Sequence, residues 1–188
     1  MSLEAAAAQL QALEKQHGQT RRQNNGNSRT SGQENIAYHQ WTTFKVDDEL
    51  FGIDVTQVKE VLRHSEITPV PGAEHYILGI INLRGNVVTV IDTRRLFGLP
   101  DAQINNDSRI IVVEFNDQEV IGLVVDSVDE VINLPQNAVE RAPGVSSDEA
   151  GRRFVQGVCY HNERLIILLD LTKMLQSVTP DTPDDPLY

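Results

Sequence analysis

The side chains that could carry out chemistry are few in this 188-residue sequence, and their spacing does not bring them together. The five histidines show no zinc-like spacing with one another or with the single cysteine, Cys159. The isolated glycines Gly72, Gly79 and Gly85 do not form a loop of the kind that binds phosphate groups. We therefore predict no metal site, no cofactor and no catalytic residue, and we expect Cys159 to be a small buried apolar side chain.

Two aspartates, Asp92 and Asp170, could suggest acid–base chemistry, because each follows an apolar segment. They occupy equivalent places in an internal repeat, before short helix candidates at 93–97 and 172–176. An aspartate in that place commonly accepts hydrogen bonds from the first N–H groups of the helix. We therefore predict two helix N-caps, and the chain is expected not to be an enzyme.

The segments that must position any site are short and rich in Val, Ile and Phe, which is typical of β-strands. Hairpin-like turns at 47–49 and 116–119 separate some of them. Helix candidates are few, and Val55–Leu62 could be a turn or a brief helix. The strand candidates are Trp41–Val46, Glu49–Ile53, Val87–Ile91, Ile110–Phe115, Val120–Val125 and Leu165–Leu169.

Both ends of the chain differ in composition from this β-rich body. Residues 1–16 could form a short helix, but the residues that follow are polar without an apolar period, so 1–37 is predicted to be a flexible N-terminal tail. The segment 177–188 repeats Pro and Asp, and we expect it to be disordered. The folded body is therefore predicted to span 38–176.

The composition also limits the partners and the compartment. A net charge of −11 would repel a phosphate backbone, and no basic stripe is interleaved with aromatic residues, so nucleic acid is not expected as a partner. The apolar runs are too short to cross a bilayer and no signal peptide is indicated, so no direct membrane insertion is expected. A single cysteine fits a reducing compartment, and the protein is predicted to be cytoplasmic.

The body contains an internal repeat. Two blocks of sequence recur in the same order, one after a shift of 70 residues and one after a shift of 78, with aligned glycines and acidic residues. Duplication explains this better than chance, and each half has a size that suits a small barrel with a groove beside its neighbour. The matching blocks are 49–61 with 119–131, and 79–97 with 157–175.

Several motifs of the body resemble the CheW-type coupling proteins of bacterial chemotaxis, the CheW-like domain family. The resemblance covers about 38–176 and implies an all-β fold of two five-stranded SH3-like barrels related by internal duplication, with short helices. The expected lobes are about 38–107 and 108–176. The motifs are FGID (51–54), VKEV (58–61), GIINLRG (79–85), VVTVIDTR (87–94) and GLVVDSVDEV (122–131).

The resemblance also implies a function and partners. Proteins of this family are non-catalytic adaptors that bind the cytoplasmic tips of methyl-accepting chemoreceptors and the regulatory domain of the CheA histidine kinase. The protein would then lie at membrane-associated receptor arrays, and self-association in array rings is a further expectation.

The resemblance places the kinase- and receptor-binding surface around Arg84, whose planar guanidinium offers five hydrogen-bond donors. Glu60 is expected to lie near Arg84 and to pair with it. Val58, Gly79 and Leu83 complete this set. The alternatives are an ordinary surface arginine at the start of a strand and plain core packing for Val58.

Val125 and Val128 resemble positions that line a receptor groove between the lobes, where a helix of the receptor would lie. Core packing is the alternative for both valines. The second half has Asn162 at the position equivalent to Arg84. From this difference we expect the binding edge on the first lobe.

Two other functions stay open. The first is a CheW-like scaffold of a specialised polar-localisation or pilus-type signalling array, with specificity residing in the tails. The second is a small β-barrel ligand-binding domain or enzyme, which would require a convergent set of polar side chains that the sequence does not reveal.

Overall fold

The computed structural model describes residues 35–63, 65–116, 119–141 and 154–178. Within these ranges the chain forms ten strands, two short α-helices and two 3-10 turns. The helices are α1 (Thr93–Leu96) and α2 (Leu171–Gln176), and the 3-10 turns are Val55–Gln57 and Gln136–Ala138. The strands are β1 (Tyr38–Val46), β2 (Glu49–Asp54), β3 (Val58–Arg63), β4 (Ile77–Leu83), β5 (Asn86–Asp92), β6 (Arg109–Asn116), β7 (Glu119–Val125), β8 (Ser127–Pro135), β9 (Val155–His161) and β10 (Arg164–Leu169).

The predicted helix at 1–16 and most of both predicted tails lie outside the described residues. The described part reaches past the predicted body, because Val178 is buried and packs against the core. No helix in the described part of the chain has the length and apolar character needed to cross a membrane.

The strands form two five-stranded sheets, which confirms the mostly β prediction. Sheet A has the order β8-β1-β2-β10-β9, and sheet B has the order β3-β6-β7-β5-β4. Neighbouring strands are antiparallel except for β2 with β10 and β5 with β7, which are parallel. The edge strands of a sheet do not pair with each other, so neither sheet is closed.

The two sheets are related by the repeat, but they do not coincide with the two halves of the sequence. Sheet A takes β1 and β2 from the first half and its other three strands from the second, whereas sheet B takes β6 and β7 from the second half. If each strand is matched with the strand five places later, both sheets have the same order. The halves at about 38–107 and 108–176 therefore exchange their N-terminal hairpins.

In each sheet the chain that leaves one edge strand reaches the opposite edge strand. After β3, Thr68 forms an isolated bridge with Ile80 of β4, and both backbone hydrogen bonds measure 2.9 Å. After β8, Glu140 bridges Val158 of β9 in the same way, with both hydrogen bonds at 2.8 Å. These bridges bring the two edges of each open sheet together.

The glycines that recur in the repeat permit this close approach. A Cβ atom on Gly79 would lie 2.1 Å from the carbonyl oxygen of Thr68, and one on Gly157 would lie 2.9 Å from that of Glu140. Gly79 also has a φ of +149°, which side chains rarely allow. The glycine match found in the sequence thus has a packing cause.

Three apolar clusters hold the fold together, one within each sheet and the largest between the sheets. Phe44 of sheet A and Val125 of sheet B belong to the same inter-sheet cluster. The space between the sheets is therefore filled by side chains there, where the sequence predicted a groove. The fully buried members of this cluster include Phe44, Ile53, Ile111, Leu123, Phe154, Leu171 and Met174.

The turn and cap predictions are confirmed where the structure describes them. Asp47 and Asp48 form the β1–β2 turn, and Asp47 has a φ of +57°. Oδ1 of Asp92 accepts a hydrogen bond from the Arg94 amide at 2.9 Å, and Oδ1 of Asp170 accepts one from the Lys173 amide at 3.0 Å. The β6–β7 turn itself, at 117–118, lies outside the described residues.

Candidate functional site

Arg84 and Gly85 form the two-residue turn of the β4–β5 hairpin. Their φ angles are +50° and +84°, and two positive φ angles are the mark of a type I′ turn. Oδ1 of Asn82 accepts a hydrogen bond from the Gly85 amide at 2.9 Å. Gly, Asn and Asp suit this conformation, whereas an arginine is strained in it. An arginine in this conformation favours a function for its side chain.

The guanidinium of Arg84 pairs with Glu60, as the sequence predicts. Nη2 of Arg84 lies 2.6 Å from Oε2 of Glu60, so the pair joins the turn after β4 to β3 on the opposite edge of sheet B. The Arg84 side chain is 74% exposed and that of Glu60 is 25% exposed. An ion pair this exposed stabilises the fold by only ~0–1 kcal/mol, so holding the guanidinium in place is its clearer effect.

Apolar residues flank the Arg84 turn along the hairpin, with Val87 in β5 opposite Asn82. Val87, three residues after Arg84, is 67% exposed, although the sequence analysis did not single it out as a site residue. Leu83 is partly buried and packs against the cluster inside sheet B. Arginine is enriched at protein–protein interfaces, and the exposed Val87 adds apolar area near it.

Val58 and Gly79, the other members of the set predicted around Arg84, are both packed inside the fold. Val58 is partly buried, lies opposite Val113 in β6 and packs against the inter-sheet cluster. Gly79 is buried against the backbone of Thr68. Both residues therefore have a packing role, and neither is exposed as Arg84 is.

The two valines of the predicted receptor groove differ in burial. Val125 is 1% exposed and belongs to the inter-sheet cluster, so its side chain faces no open groove. Val128 is partly buried and packs against the same cluster, opposite Phe44 of β1. Of the two, Val128 alone retains surface that a partner could contact.

The ion pair of sheet B has a counterpart in sheet A. Nη2 of Arg164 lies 2.8 Å from Asp129 and 3.7 Å from Glu130, and Glu130 is the repeat equivalent of Glu60. The charge that Asn162 lacks is thus supplied two residues later, from the start of β10. The second half therefore does have an arginine in this place, and the placement of the binding edge on the first lobe stays a prediction.

The hairpin that carries Arg164 also exposes apolar side chains. Tyr160 and Leu165 are direct cross-strand partners, and they are 72% and 44% exposed. They are the repeat equivalents of Asn82 and Val87 beside Arg84. Both sheets therefore present a hairpin tip with an arginine, a carboxylate partner and exposed apolar surface.

Comparison with known proteins identifies the family. A model described as the CheW-like domain matches residues 40–179, which is most of the chain. The chain belongs to the CheW-like domain family. It is 38% identical over 144 residues to the chemotaxis protein CheW of Bacillus subtilis (strain 168), covering 73% of this chain and 90% of that protein.

Two further relatives agree. The chemotaxis protein CheW of Helicobacter pylori is 31% identical over 155 residues, which is 82% of this chain and 92% of that protein. The crystal structure of the scaffolding protein TtCheW from Thermoanaerobacter tengcongensis is similar with a TM-score of 0.66 and 36% identity, covering 73% of this chain and 92% of that chain.

This CheW-like domain contains an ion-pair network that the sequence analysis missed. Nε and Nη2 of Arg94 donate to both carboxylate oxygens of Asp126 at 2.9 and 2.6 Å, and Nη1 donates to Asp47 at 3.3 Å and to the carbonyl of Pro100 at 2.8 Å. The Arg94 side chain is only 14% exposed. Because Asp47 lies in the β1–β2 turn of sheet A and Arg94 follows β5 of sheet B, we call this network the inter-sheet clamp.

The clamp changes the acidity of its carboxylate. Burial raises the pKa of Asp126, but the hydrogen bonds from Arg94 and from the Asp47 amide outweigh it, so the pKa lies below its ordinary value. The Asp47 amide donates to Oδ2 of Asp126 at 2.8 Å. Asp126 is therefore ionised near neutral pH, and it holds α1 and the β1–β2 turn together.

The described residues of this CheW-like domain offer no metal centre, since no three His, Cys, Asp or Glu side chains in them are grouped to hold an ion. Cys159 is 2% exposed, and burial raises the pKa of its thiol. This agrees with the prediction of a small buried apolar side chain and disfavours a thiolate nucleophile.

Proposed function

We propose that this CheW-like domain is a non-catalytic adaptor that couples methyl-accepting chemoreceptors to the CheA histidine kinase. The family membership supports a scaffold function, and the names of the relatives connect the family with chemotaxis. The observation that carries the proposal is the exposed guanidinium of Arg84, held by Glu60 in a strained turn next to Val87.

The hairpin tip of Arg84 is assigned to partner binding for physical reasons. A guanidinium that is 74% exposed can still donate to a carboxylate or to backbone carbonyls of a partner while Glu60 fixes its direction. Val87 supplies apolar area that is removed from water on binding. Anchors of this kind concentrate the energy of an interface in a few residues.

We further propose that each open sheet, together with its isolated bridge, forms an SH3-like barrel. The isolated bridges at Thr68–Ile80 and Glu140–Val158 join the opposite edges of the sheets. The pair of Glu60 and Arg84 joins the edges of sheet B once more through side chains. The edges are then covered, so the hairpin tips become the preferred surfaces for partners.

We assign the receptor to the partly buried start of β8, and we assign the hairpin tip of Arg84 to kinase or receptor binding. Val128 lies at the margin of the inter-sheet cluster, where an amphipathic helix of a receptor tip could add apolar contacts. Such an adaptor would lie at membrane-associated receptor arrays and could also contact its own copies there. Several weak contacts acting together would give the array its order.

The test is a pull-down with receptor signalling tips and the regulatory domain of the cognate kinase. Arg84→Glu is compared with Lys173→Glu, because both change the net charge by the same amount and Lys173 is an exposed residue of α2, outside both assigned surfaces. We expect Arg84→Glu to lose at least one partner and Lys173→Glu to retain both. Retention of both partners at wild-type affinity by Arg84→Glu would contradict the assignment.

A further inference from the structure

The internal repeat gives the fold two equivalent regions, one beside α1 and one beside α2, which we call the first and the second end. Different side chains occupy these two ends. Arg94 of the inter-sheet clamp is the repeat equivalent of Thr172 in α2, and Asp126 is the equivalent of Thr56. Where Arg94 and Asp126 meet at 2.6 Å, the second end has two short hydroxyl side chains. At the first end the long side chain of Arg94 occupies the space. At the second end the equivalent residue, Thr172, has only a short side chain.

A cavity of about 540 Å³ lies at this second end. We call it the α2 cavity. Its lining comes from β1, from the end of β2 and the 3-10 turn after it, from β9, from the end of β10 and from the start of α2, and the cavity is open to solvent. The residues that matter below are His39, Trp41, Asp54, Thr56, Asp170 and Thr172.

The α2 cavity has the acceptors that a guanidinium requires. Asp54 and Asp170 both line it, and no lysine or arginine is among its lining residues. Oδ1 of Asp54 accepts from the amide and hydroxyl of Thr56, and Oδ2 lies 2.8 Å from Nε2 of His39. A carboxylate offers about four acceptor sites, so these contacts orient Asp54 and leave room for another donor.

A second feature of the α2 cavity is independent of its acidic residues. Trp41 forms part of the wall, its ring lies 5.3 Å from that of His39, and the residue is 4% exposed. Its indole Nε1–H is buried and has no hydrogen-bond partner among the described residues. Buried N–H groups normally have an acceptor, so the wall of the cavity lacks one.

We propose that the α2 cavity is a binding site for an arginine side chain presented by a partner protein. The guanidinium would take at Asp54 and Asp170 the role that Arg94 has in the clamp. The peptide that delivers it has carbonyl groups that can accept from the Trp41 indole. A chain with a net charge of −11 attracts such a basic segment.

The full chain contains a single tryptophan, so one indole N–H signal in an NMR spectrum reports on this cavity alone. It is titrated with N-acetyl-arginine N-methylamide and with the citrulline analogue, which has the same shape without the charge. We expect a saturable shift of the indole signal with arginine and binding roughly tenfold weaker, or weaker still, with citrulline. Equal binding of the two compounds, or no saturable shift with arginine, would overturn the proposal.

Free L-arginine distinguishes a protein-borne side chain from a small-molecule ligand. Its α-carboxylate would lie near Asp54 and Asp170, so we expect it to bind more weakly than the blocked derivative. Binding of L-arginine at equal or higher affinity would overturn the assignment to a partner protein.

Two variants locate the binding in the cavity. Asp54→Asn removes the charge but keeps an oxygen for the Thr56 contacts, and we expect roughly tenfold weaker binding of the arginine derivative. Thr172→Arg places a guanidinium in the cavity from the chain itself, as Arg94 does at the other end, and should abolish the shift. Unchanged binding by a folded Thr172→Arg protein contradicts the proposal even if Asp54→Asn fails to fold.

The charge control is Asp101→Asn, which removes an exposed carboxylate that pairs with Arg95 outside the cavity lining. We expect it to bind the arginine derivative like the wild type. An equal loss of affinity in this variant would show that the effect comes from net charge, and it would overturn the proposed site. The inference does not rest on the proposed adaptor function, because the titration contains neither receptor nor kinase.

Discussion

Glu60 and Arg84 join the opposite edges of sheet B, with Oε2 and Nη2 2.6 Å apart. The two residues are 24 positions apart in the sequence, and the turn that carries Arg84 has a backbone conformation unusual for arginine. The pair is exposed, so it contributes little to stability. Its effect is to fix the direction of a guanidinium that partners can reach.

Glu60→Gln should therefore separate stability from binding. The free energy of unfolding should change by less than about 1 kcal/mol, because the ion pair is exposed. Binding to the partner of Arg84 should weaken, since the guanidinium is no longer held. Chemical denaturation and calorimetric binding measurements on Glu60→Gln, Arg84→Ala and the double variant form a double-mutant cycle, and additive effects on binding would refute coupling between the residues.

Arg94→Ala should destabilise the fold far more than the loss of an exposed arginine. Arg94 is 14% exposed and donates to both oxygens of Asp126, so its removal leaves a partly buried carboxylate without its cation. We expect a loss of about 2 kcal/mol in the free energy of unfolding, below the range for fully buried pairs because Asp126 is still 33% exposed. Arg95→Ala, the next residue of α1, is the matched control and should cost less than about 1 kcal/mol.

The clamp also predicts how stability depends on pH. The pKa of Asp126 is lower in the folded protein than in the unfolded chain, so its contribution is complete above the unfolded value, about 4. The contribution is lost as the pH falls from there through the folded pKa. Denaturation curves at several pH values below 5 should show a shallower loss of stability for Asp126→Asn than for the wild type, and parallel slopes would count against the clamp.

The glycines of the isolated bridges should resist substitution. Gly79→Ala would place a Cβ atom 2.1 Å from the carbonyl oxygen of Thr68, and backbone atoms must move to relieve the contact. We expect a loss of about 3 kcal/mol in the free energy of unfolding. Gly72→Ala is the control, because Gly72 has a φ of +77° and open space around it, so its cost is strain alone, about 1 kcal/mol. Similar melting temperatures for the two variants would show that the bridge tolerates displacement.

Much of the fold could be predicted because the internal repeat can be recognised from short blocks of the sequence. The matched blocks identify equivalent strands, and the caps at Asp92 and Asp170 follow from the same alignment. The pairing of strands could not be predicted in this way, since similarity between β1–β2 and β6–β7 does not say which sheet each hairpin joins. The sheet that each hairpin joins is decided by the burial of its apolar face. Joining either sheet would bury apolar residues, so the sequence pattern does not distinguish the two pairings.

The site was predicted in part. The Glu60–Arg84 pair was expected and is present, whereas Arg164 was missed because position-by-position alignment pairs Arg84 with Asn162. A long arginine side chain can reach the same carboxylates from two residues away, so a charge can recur in space without recurring in register. The inter-sheet clamp was missed for a similar reason, as Arg94 and Asp126 are 32 residues apart.

The most direct test of the adaptor function is the affinity of Arg84→Glu for the CheA regulatory domain and for receptor signalling tips, measured by calorimetry beside wild type and Lys173→Glu. The structure predicts that Arg84→Glu loses about 2 kcal/mol or more of binding free energy toward at least one partner, while its free energy of unfolding changes by less than about 1 kcal/mol. Lys173→Glu should bind both partners like the wild type. Wild-type affinity of folded Arg84→Glu for both partners would contradict the account.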